Sequence, residues 1–234
     1  MAGSTSKSSY RRGVLMGLPF VLVIVPFALL FGVVATEAGL NLAQTMAFSV
    51  VVIAGASQFT ALQLMTENAP VVLILATALT VNLRMAMYSA SLQPWIGQAP
   101  FWQRSLVAYM TVDQVYSASI LEYEQRPGLS VAERVAFFFG VATPIVPLWY
   151  LCTWLGAGIG DAVPEALALD FALPITFIAM MGPLLRTLAH VATALTSVVV
   201  SLALAGLPAG TGLLIAAGLA MGVGALVDAA RTRT

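Results

Sequence analysis

The chain has 234 residues, of which 60% are hydrophobic and only 9% are charged, and its mean hydropathy is +0.95. Soluble domains carry about 25% charged residues, so this composition excludes a soluble globular protein. The formal net charge is zero, so there is no basic field that would attract nucleic acid. The single cysteine, Cys152, excludes an internal disulfide and offers no metal-ligand spacing, and we expect no cofactor.

The first 13 residues are polar and basic, and we expect them to form a disordered cytoplasmic tail. The apolar run that follows is too long for the hydrophobic region of a signal peptide and has no convincing cleavage site. It is therefore interpreted as the first membrane span.

About eight segments are long and apolar enough to be spans of roughly 20 residues. They lie near 14–35, 42–65, 70–92, 104–121, 134–158, 171–188, 190–206 and 211–229. Because the apolar runs are continuous and do not alternate with period two, they predict helices rather than barrel strands. The fold class is thus an all-α polytopic membrane protein, with a transmembrane domain over 14–229 and a short cytoplasmic tail over 230–234. Small residues and prolines interrupt 42–65 and 171–188, so these two segments could be broken or re-entrant.

Basic residues give the orientation of these spans, because Lys and Arg concentrate in cytoplasmic loops. With both termini in the cytoplasm, eight of the ten basic residues lie inside, Arg104 lies outside and Arg84 lies in the membrane. The acidic loop at 159–170 is then outside, and Trp95 and Trp102 flank another outer loop. A faint internal repeat, in which Val25-Pro26 recurs as Val146-Pro147, suggests two related halves that run in the same direction.

Arg84 and Asp113 are the most informative residues, because they are the charges that lie deep inside predicted spans. Both fall on polar helix faces, which are made up of Thr77, Thr80, Arg84, Tyr88 and Ser91 in one span and Ser105, Tyr109, Asp113 and Tyr116 in the next. If these spans are consecutive and antiparallel, both charges lie roughly 12–13 Å below the same membrane surface. They could form a purely structural ion pair, or they could line a polar cavity that binds a zwitterionic apolar amino acid.

A second polar stretch, AGASQFTAL at 54–62, contains Gly55, Ser57 and Gln58. Its small residues would allow a helix break, whose free N–H groups could bind a carboxylate. They could equally be helix-packing positions, with Gln58 hydrogen-bonded to a neighbouring helix.

The motifs GASQF, NLRMAMY and VDQVYS, at these separations, resemble the AzlC family, and the resemblance extends to LDFALPITFIAMM at 169–181. It implies the large subunit of a bacterial inner-membrane exporter of valine, leucine, isoleucine and often methionine, which works with a small membrane subunit of the AzlD type. The motif positions that the resemblance implies for substrate binding are Gly55, Ser57, Gln58, Asn82, Arg84, Tyr88, Asp113 and Gln114. Met85 and Gln114 depart from the histidine and glutamate that are common in the family, so any proton coupling through those side chains is lost.

Two other functions are compatible with some of these residues. Ser57 and the lone His190 could form the dyad of an intramembrane serine protease, although no oxyanion-hole sequence is evident. A passive channel for small solutes is the other alternative, but matched opposite charges favour binding a zwitterion over selecting one sign of ion.

Overall fold

The computed structural model describes residues 5–160, 185, 187–207 and 211–232, and every regular element among them is helical. The helices are α1 (Ser6–Gly17), a 3₁₀ turn (Leu18–Phe20), α2 (Val21–Glu37), α3 (Leu42–Val51), α4 (Gly55–Thr66), α5 (Val71–Ile96), α6 (Phe101–Met110), α7 (Asp113–Gln125), α8 (Val131–Gly160), α9 (Leu188–Ala203) and α10 (Thr211–Thr232). Four stretches of the described chain are long and apolar enough to cross a membrane: Ser6–Glu37, Val71–Ile96, Val131–Gly160 and Thr211–Arg231. The all-helical polytopic fold is therefore confirmed.

Side-chain caps explain where several helices begin. Thr5 and Ser8 form a capping box at the start of α1, and Asn41 and Gln44 form another at the start of α3. The expectation of a disordered N-terminal tail is thus wrong from Ser6 onward, because a capped helix begins there and Ser9 is fully buried.

The chain divides into two compact units, and the first comprises residues 1–59 and 79–164. Its centre is a pair of long helices, α1–α2 and α8, that run in the same direction. Gly13 lies against the backbone of Phe137 and Gly140, and Gly156 lies against the backbone of Leu29. Such glycines let two membrane helices approach closely. We call the end of this unit where α1 and α8 begin the near end, and the opposite end the far end.

The segment of α3 and α4 is a re-entrant hairpin that enters from the far end. Helix α3 begins at the far end, just after α2, and runs toward the middle of the unit. There the hydroxyls of Ser49 and of Thr153 in α8 are 3.2 Å apart. After the break at residues 52–54 the chain turns back. Gly55, at the start of α4, lies against Phe27 of α2. Phe59, four residues later in α4, packs edge-on against Phe31, which lies one turn closer to the far end than Phe27. The segment at 42–65 is therefore re-entrant.

The segment of α6 and α7 is a second re-entrant hairpin, which enters from the near end. Trp95, at the end of α5, lies 6.0 Å from the ring of Tyr123 in α7, and its carbonyl accepts a hydrogen bond from Arg134 at the start of α8. Since α6 begins only five residues after Ile96, α6 starts at the near end and α7 returns to it.

This second hairpin corrects the predicted topology. The segment at 104–121 is not a crossing, α5 and α7 run parallel rather than antiparallel, and Trp95 lies at the near end together with the start of α1. The physical reason is that two apolar arms of 10 and 13 residues add up to the length of one span. A hydropathy window cannot distinguish this arrangement from a continuous helix.

The two hairpins belong to two helix triplets of the same design. Helices α3, α4 and α5 have 10, 12 and 26 residues, and α6, α7 and α8 have 10, 13 and 30. Their hairpins enter from opposite ends, and α5 runs opposite to α8. This arrangement is an inverted repeat, a design common in secondary transporters. The repeat predicted from Val25-Pro26 and Val146-Pro147 is a different one and stays a prediction, although the two helices that carry it do run parallel.

The second unit comprises residues 60–78 and 165–234. Within it, α9 and α10 form an antiparallel pair, since Gly212 lies against Leu204 and Gly224 lies against Thr193. Thr187 caps α9 by accepting a hydrogen bond from the backbone N–H of His190. Nearly all of the predicted segment at 171–188, and the acidic loop before it, lie outside the described residues.

Candidate functional site

Arg84 and Asp113 form an ion pair between α5 and α7, with Nη1 and Oδ2 at 2.9 Å. The helix break produces this contact. Helix α6 ends at Met110, Thr111 donates its hydroxyl to the carbonyl of Val107, and α7 begins at Asp113. A carboxylate in the first turn is stabilised by the positive end of the helix dipole. The pairing was predicted from the sequence, whereas the direction of the helices that make it was not.

The ion pair leaves hydrogen-bonding capacity unused among the described residues. Nε of Arg84, Oδ1 of Asp113 and Oδ1 of the nearby Asn82 are buried atoms without a hydrogen-bond partner there. Meanwhile the two charged side chains are 31% and 36% exposed. A guanidinium and a carboxylate with free positions could receive the carboxylate and the ammonium group of an amino acid. Gln114 follows Asp113 in the same turn and is half-buried.

Two tyrosines lie one turn from the ion pair. The ring of Tyr88 stacks on that of Tyr116, with the centroids 4.1 Å apart. The hydroxyl of Tyr116 donates to Oγ of Ser91 at 3.0 Å. The site therefore comprises a charged layer and an aromatic layer.

The other predicted site residues lie in a separate cluster at the tip of the first hairpin. Gln58 and Trp149 both donate N–H groups to Oγ of Ser49, each at 3.2 Å. Gly55 fits between the rings of Phe27 and Trp149, where a larger residue would clash. Gly55 thus lies directly against α8, Gln58 is linked to Trp149 of α8 through Ser49, and Ser57 lies in the first turn of the same helix, α4. Sequence reasoning missed Ser49 and Trp149, whose only signal is a polar group in an apolar segment.

The two hairpin tips meet at Tyr109. Its hydroxyl donates to the carbonyl of Val50, which is left free where α3 ends, and lies 2.6 Å from the hydroxyl of Tyr150. The predicted polar face of 105–116 is therefore interrupted at the break. Tyr109 in α6 contacts the first hairpin, whereas Asp113 and Tyr116 in α7 contact α5.

The hydroxyl of Ser57 is engaged with its own backbone. It donates to the carbonyl of Ala54 at 3.0 Å and is 3% exposed. This is a helix-start hydrogen bond rather than the activated nucleophile that a protease needs. Within the described ranges, no group of three or more His, Cys, Asp or Glu residues could hold a metal ion.

Comparison with known proteins identifies the family. The family model described as AzlC protein matches residues 19–163, which include both hairpins, the ion pair and the tyrosine stack. This chain belongs to the AzlC family. The family is associated with transport.

Two relatives of this AzlC chain extend over most of its length. An uncharacterized membrane protein of Archaeoglobus fulgidus is 28% identical over 205 residues, which cover 86% of this chain and 87% of the relative. Inner membrane protein YgaZ of Escherichia coli is 27% identical over 180 residues, 74% of this chain and 72% of the relative. No solved structure matches the chain. The AzlC chain is thus a membrane protein, and its transport-related function rests on the family.

Proposed function

We propose that this chain is the substrate-binding subunit of a secondary transporter that exports apolar amino acids, with valine, leucine and isoleucine as the principal substrates and methionine as a further one. The observation that carries the proposal is the position of the Arg84–Asp113 pair. It lies where a discontinuous helix restarts, within inverted helix triplets, which is where substrate sites of secondary transporters occur. A carrier with such a site accounts for these features better than a passive channel does.

The chemistry of the site supports a zwitterionic substrate. In the proposed cycle, Arg84 binds the substrate carboxylate as a bidentate pair, since a guanidinium fork matches carboxylate geometry. Asp113, released from Arg84, binds the ammonium group. When substrate leaves, the two side chains pair again, so neither charge remains buried and unpaired. The apolar side chain of the substrate suits the largely apolar helices that surround the pair.

The distribution of basic residues supports an orientation with the near end in the cytoplasm. Arg12, Arg126 and Arg134 lie at that end, and Arg12 and Arg126 both pair with Glu122. The second hairpin brings Arg104 to the same end, because it lies in the first turn of α6. The residue that breaks the positive-inside rule in an eight-span topology therefore obeys it here. We place the chain in the bacterial inner membrane with both termini cytoplasmic.

The family resemblance adds a partner to the proposal. A small polytopic subunit of the AzlD type is expected to copurify with this chain, and export is expected to require both subunits.

The direct test is efflux from cells preloaded with a valine-containing dipeptide, with this chain, the partner or both expressed. Efflux above background only with both subunits, together with counterflow of labelled valine in liposomes, is the expected result. Full transport by the isolated chain would contradict the partner requirement. The absence of any amino-acid flux from the reconstituted pair would overturn the function.

A further inference from the structure

We propose that the stacked rings of Tyr88 and Tyr116 form the side-chain subsite of the transporter and set the largest side chain that it accepts. This inference rests on the proposed function and names the residues that would select the substrate. Tyr116 lies within the VDQVYS motif, but the family resemblance assigns no role to Tyr116 or to Ser91. Their role follows from the geometry alone.

The position of the stack is the first argument. Tyr88 follows Arg84 by four residues in α5, and Tyr116 follows Asp113 by three residues in α7. Because these helices run parallel, both rings lie on the near side of the ion pair, at about one helical turn or roughly 5.4 Å. A substrate held by its charged groups at the pair has only this distance for its side chain in that direction. A three- or four-carbon branched chain or the flexible side chain of methionine fits within this distance, whereas the broad, rigid ring of a benzyl or indolylmethyl group does not.

The rigidity of the stack is the second argument. The rings are nearly parallel, at 11°, and the hydroxyl of Tyr116 donates to Oγ of Ser91. A stack that is tethered in this way excludes large side chains, because admitting one requires breaking this hydrogen bond and separating the rings.

The surroundings of the stack are the third argument. Behind it, toward the near end, Leu92 is 1% exposed, and Trp95 packs on the fully buried Tyr123. The guanidinium of Arg134 lies over the ring of Trp95, 5.0 Å from its centroid, and belongs to the same packed layer. The tyrosines therefore cannot retreat toward the near end without displacing a second packed layer, so the length of the subsite is fixed.

The test compares transport of valine and phenylalanine by the reconstituted complex. Tyr116→Ala removes the wall, and Ser91→Ala leaves both rings in place but releases Tyr116. One methylene in an apolar pocket changes discrimination by about 10–200-fold. We therefore expect the ratio of kcat/KM for phenylalanine over valine to rise at least about 10-fold in Tyr116→Ala, and by less in Ser91→Ala. Tyr10→Ala is the matched control, because it also removes a tyrosine with a hydrogen-bonded hydroxyl. Tyr10 lies in α1, and its hydroxyl is hydrogen-bonded to Thr143 of α8 rather than to α5 or α7.

A second variant keeps the inference testable if Tyr116→Ala does not fold. Tyr116→Trp should shorten the subsite, reject leucine and isoleucine, and retain alanine. An unchanged substrate ratio in folded, transporting variants would overturn the subsite while leaving the proposed function intact. Loss of all amino-acid transport in the unmodified complex would instead be a failure of the proposed function.

Discussion

Replacing Arg84 by Gln and Asp113 by Asn, singly and together, separates a structural ion pair from a substrate site. Each single change leaves the other charge without its partner at 2.9 Å. For a fully buried pair the cost would be about 3–5 kcal/mol. Because both side chains here are about one-third exposed, we take the lower value of a charged hydrogen bond, about 1.5–3 kcal/mol. The double variant leaves neither charge unpaired, so its stability should be closer to that of the unmodified protein than the stability of either single variant is, although Gln is shorter than Arg.

The transport assay then discriminates between the two roles. If Arg84 and Asp113 bind the substrate, the double variant should fold, reach the membrane and export no valine. The single variants should export at a rate about 10–150-fold lower, which corresponds to the same 1.5–3 kcal/mol. Substantial valine export by the folded double variant would refute the site assignment and leave the pair as a helix fastener.

A matched control is available within the same unit. Arg12 and Glu122 form another ion pair at 3.1 Å, and Glu122 is more deeply buried than Asp113. Neutralising both, as Arg12→Gln with Glu122→Gln, also leaves Arg126 without its carboxylate partner, so it should lower the thermal unfolding temperature in detergent. It should leave the rate of export per folded molecule unchanged, because this pair lies away from the hairpin tips.

Three further predictions follow from the fold. A cysteine at Trp102 in a cysteine-free background should react with an impermeant maleimide only from the side that exposes the N-terminus, and labelling from the opposite side would contradict the second re-entrant hairpin. Gly156→Leu places a side chain against the backbone of α2 and should lower the free energy of unfolding by about 1–3 kcal/mol. Gly158→Leu is the control and should cost little, because nothing lies within 4 Å of that position. Equal effects of the two variants would argue against the helix contact. Tyr109→Phe removes the hydrogen bond to Val50 and should lower thermal stability by about 0.5–1.5 kcal/mol without changing the affinity for valine, and a large loss of affinity would place Tyr109 in the substrate site.

The sequence predicts the charged part of the site well because charges are rare in apolar segments. Arg84 and Asp113 stand out for that reason, and no competing deep partner exists for either in the predicted spans. The helix directions are harder to predict. The second break, at Thr111-Val112, contains neither glycine nor proline, and there the hydroxyl of Thr111 donates to the carbonyl of Val107 in place of a backbone N–H. Only Arg104, on the wrong side of the predicted topology, signalled the error.

The cluster at the first hairpin shows a second limit of sequence reasoning. The sequence marks Gly55 and Gln58 as unusual but leaves two roles open for them. Which of the two roles applies depends on Ser49 and Trp149. These residues are about 100 positions apart in the chain, and tertiary contacts bring both to Gln58. No local pattern encodes such an approach, so the packing role of Gly55 becomes visible only in the folded chain.

The glycine contacts between α1 and α8 have a consequence for biosynthesis. Gly13 and Gly140 touch although 127 positions separate them in the chain. At about 5–20 residues per second, a ribosome needs roughly 6–25 s to supply the second helix after the first. During that interval both hairpins have been made, but the long helix that covers their tips has not. The short helices of the two hairpins must therefore stay close to the insertion machinery until α8 has been synthesised. The assembly of the hairpins is thus completed late in synthesis.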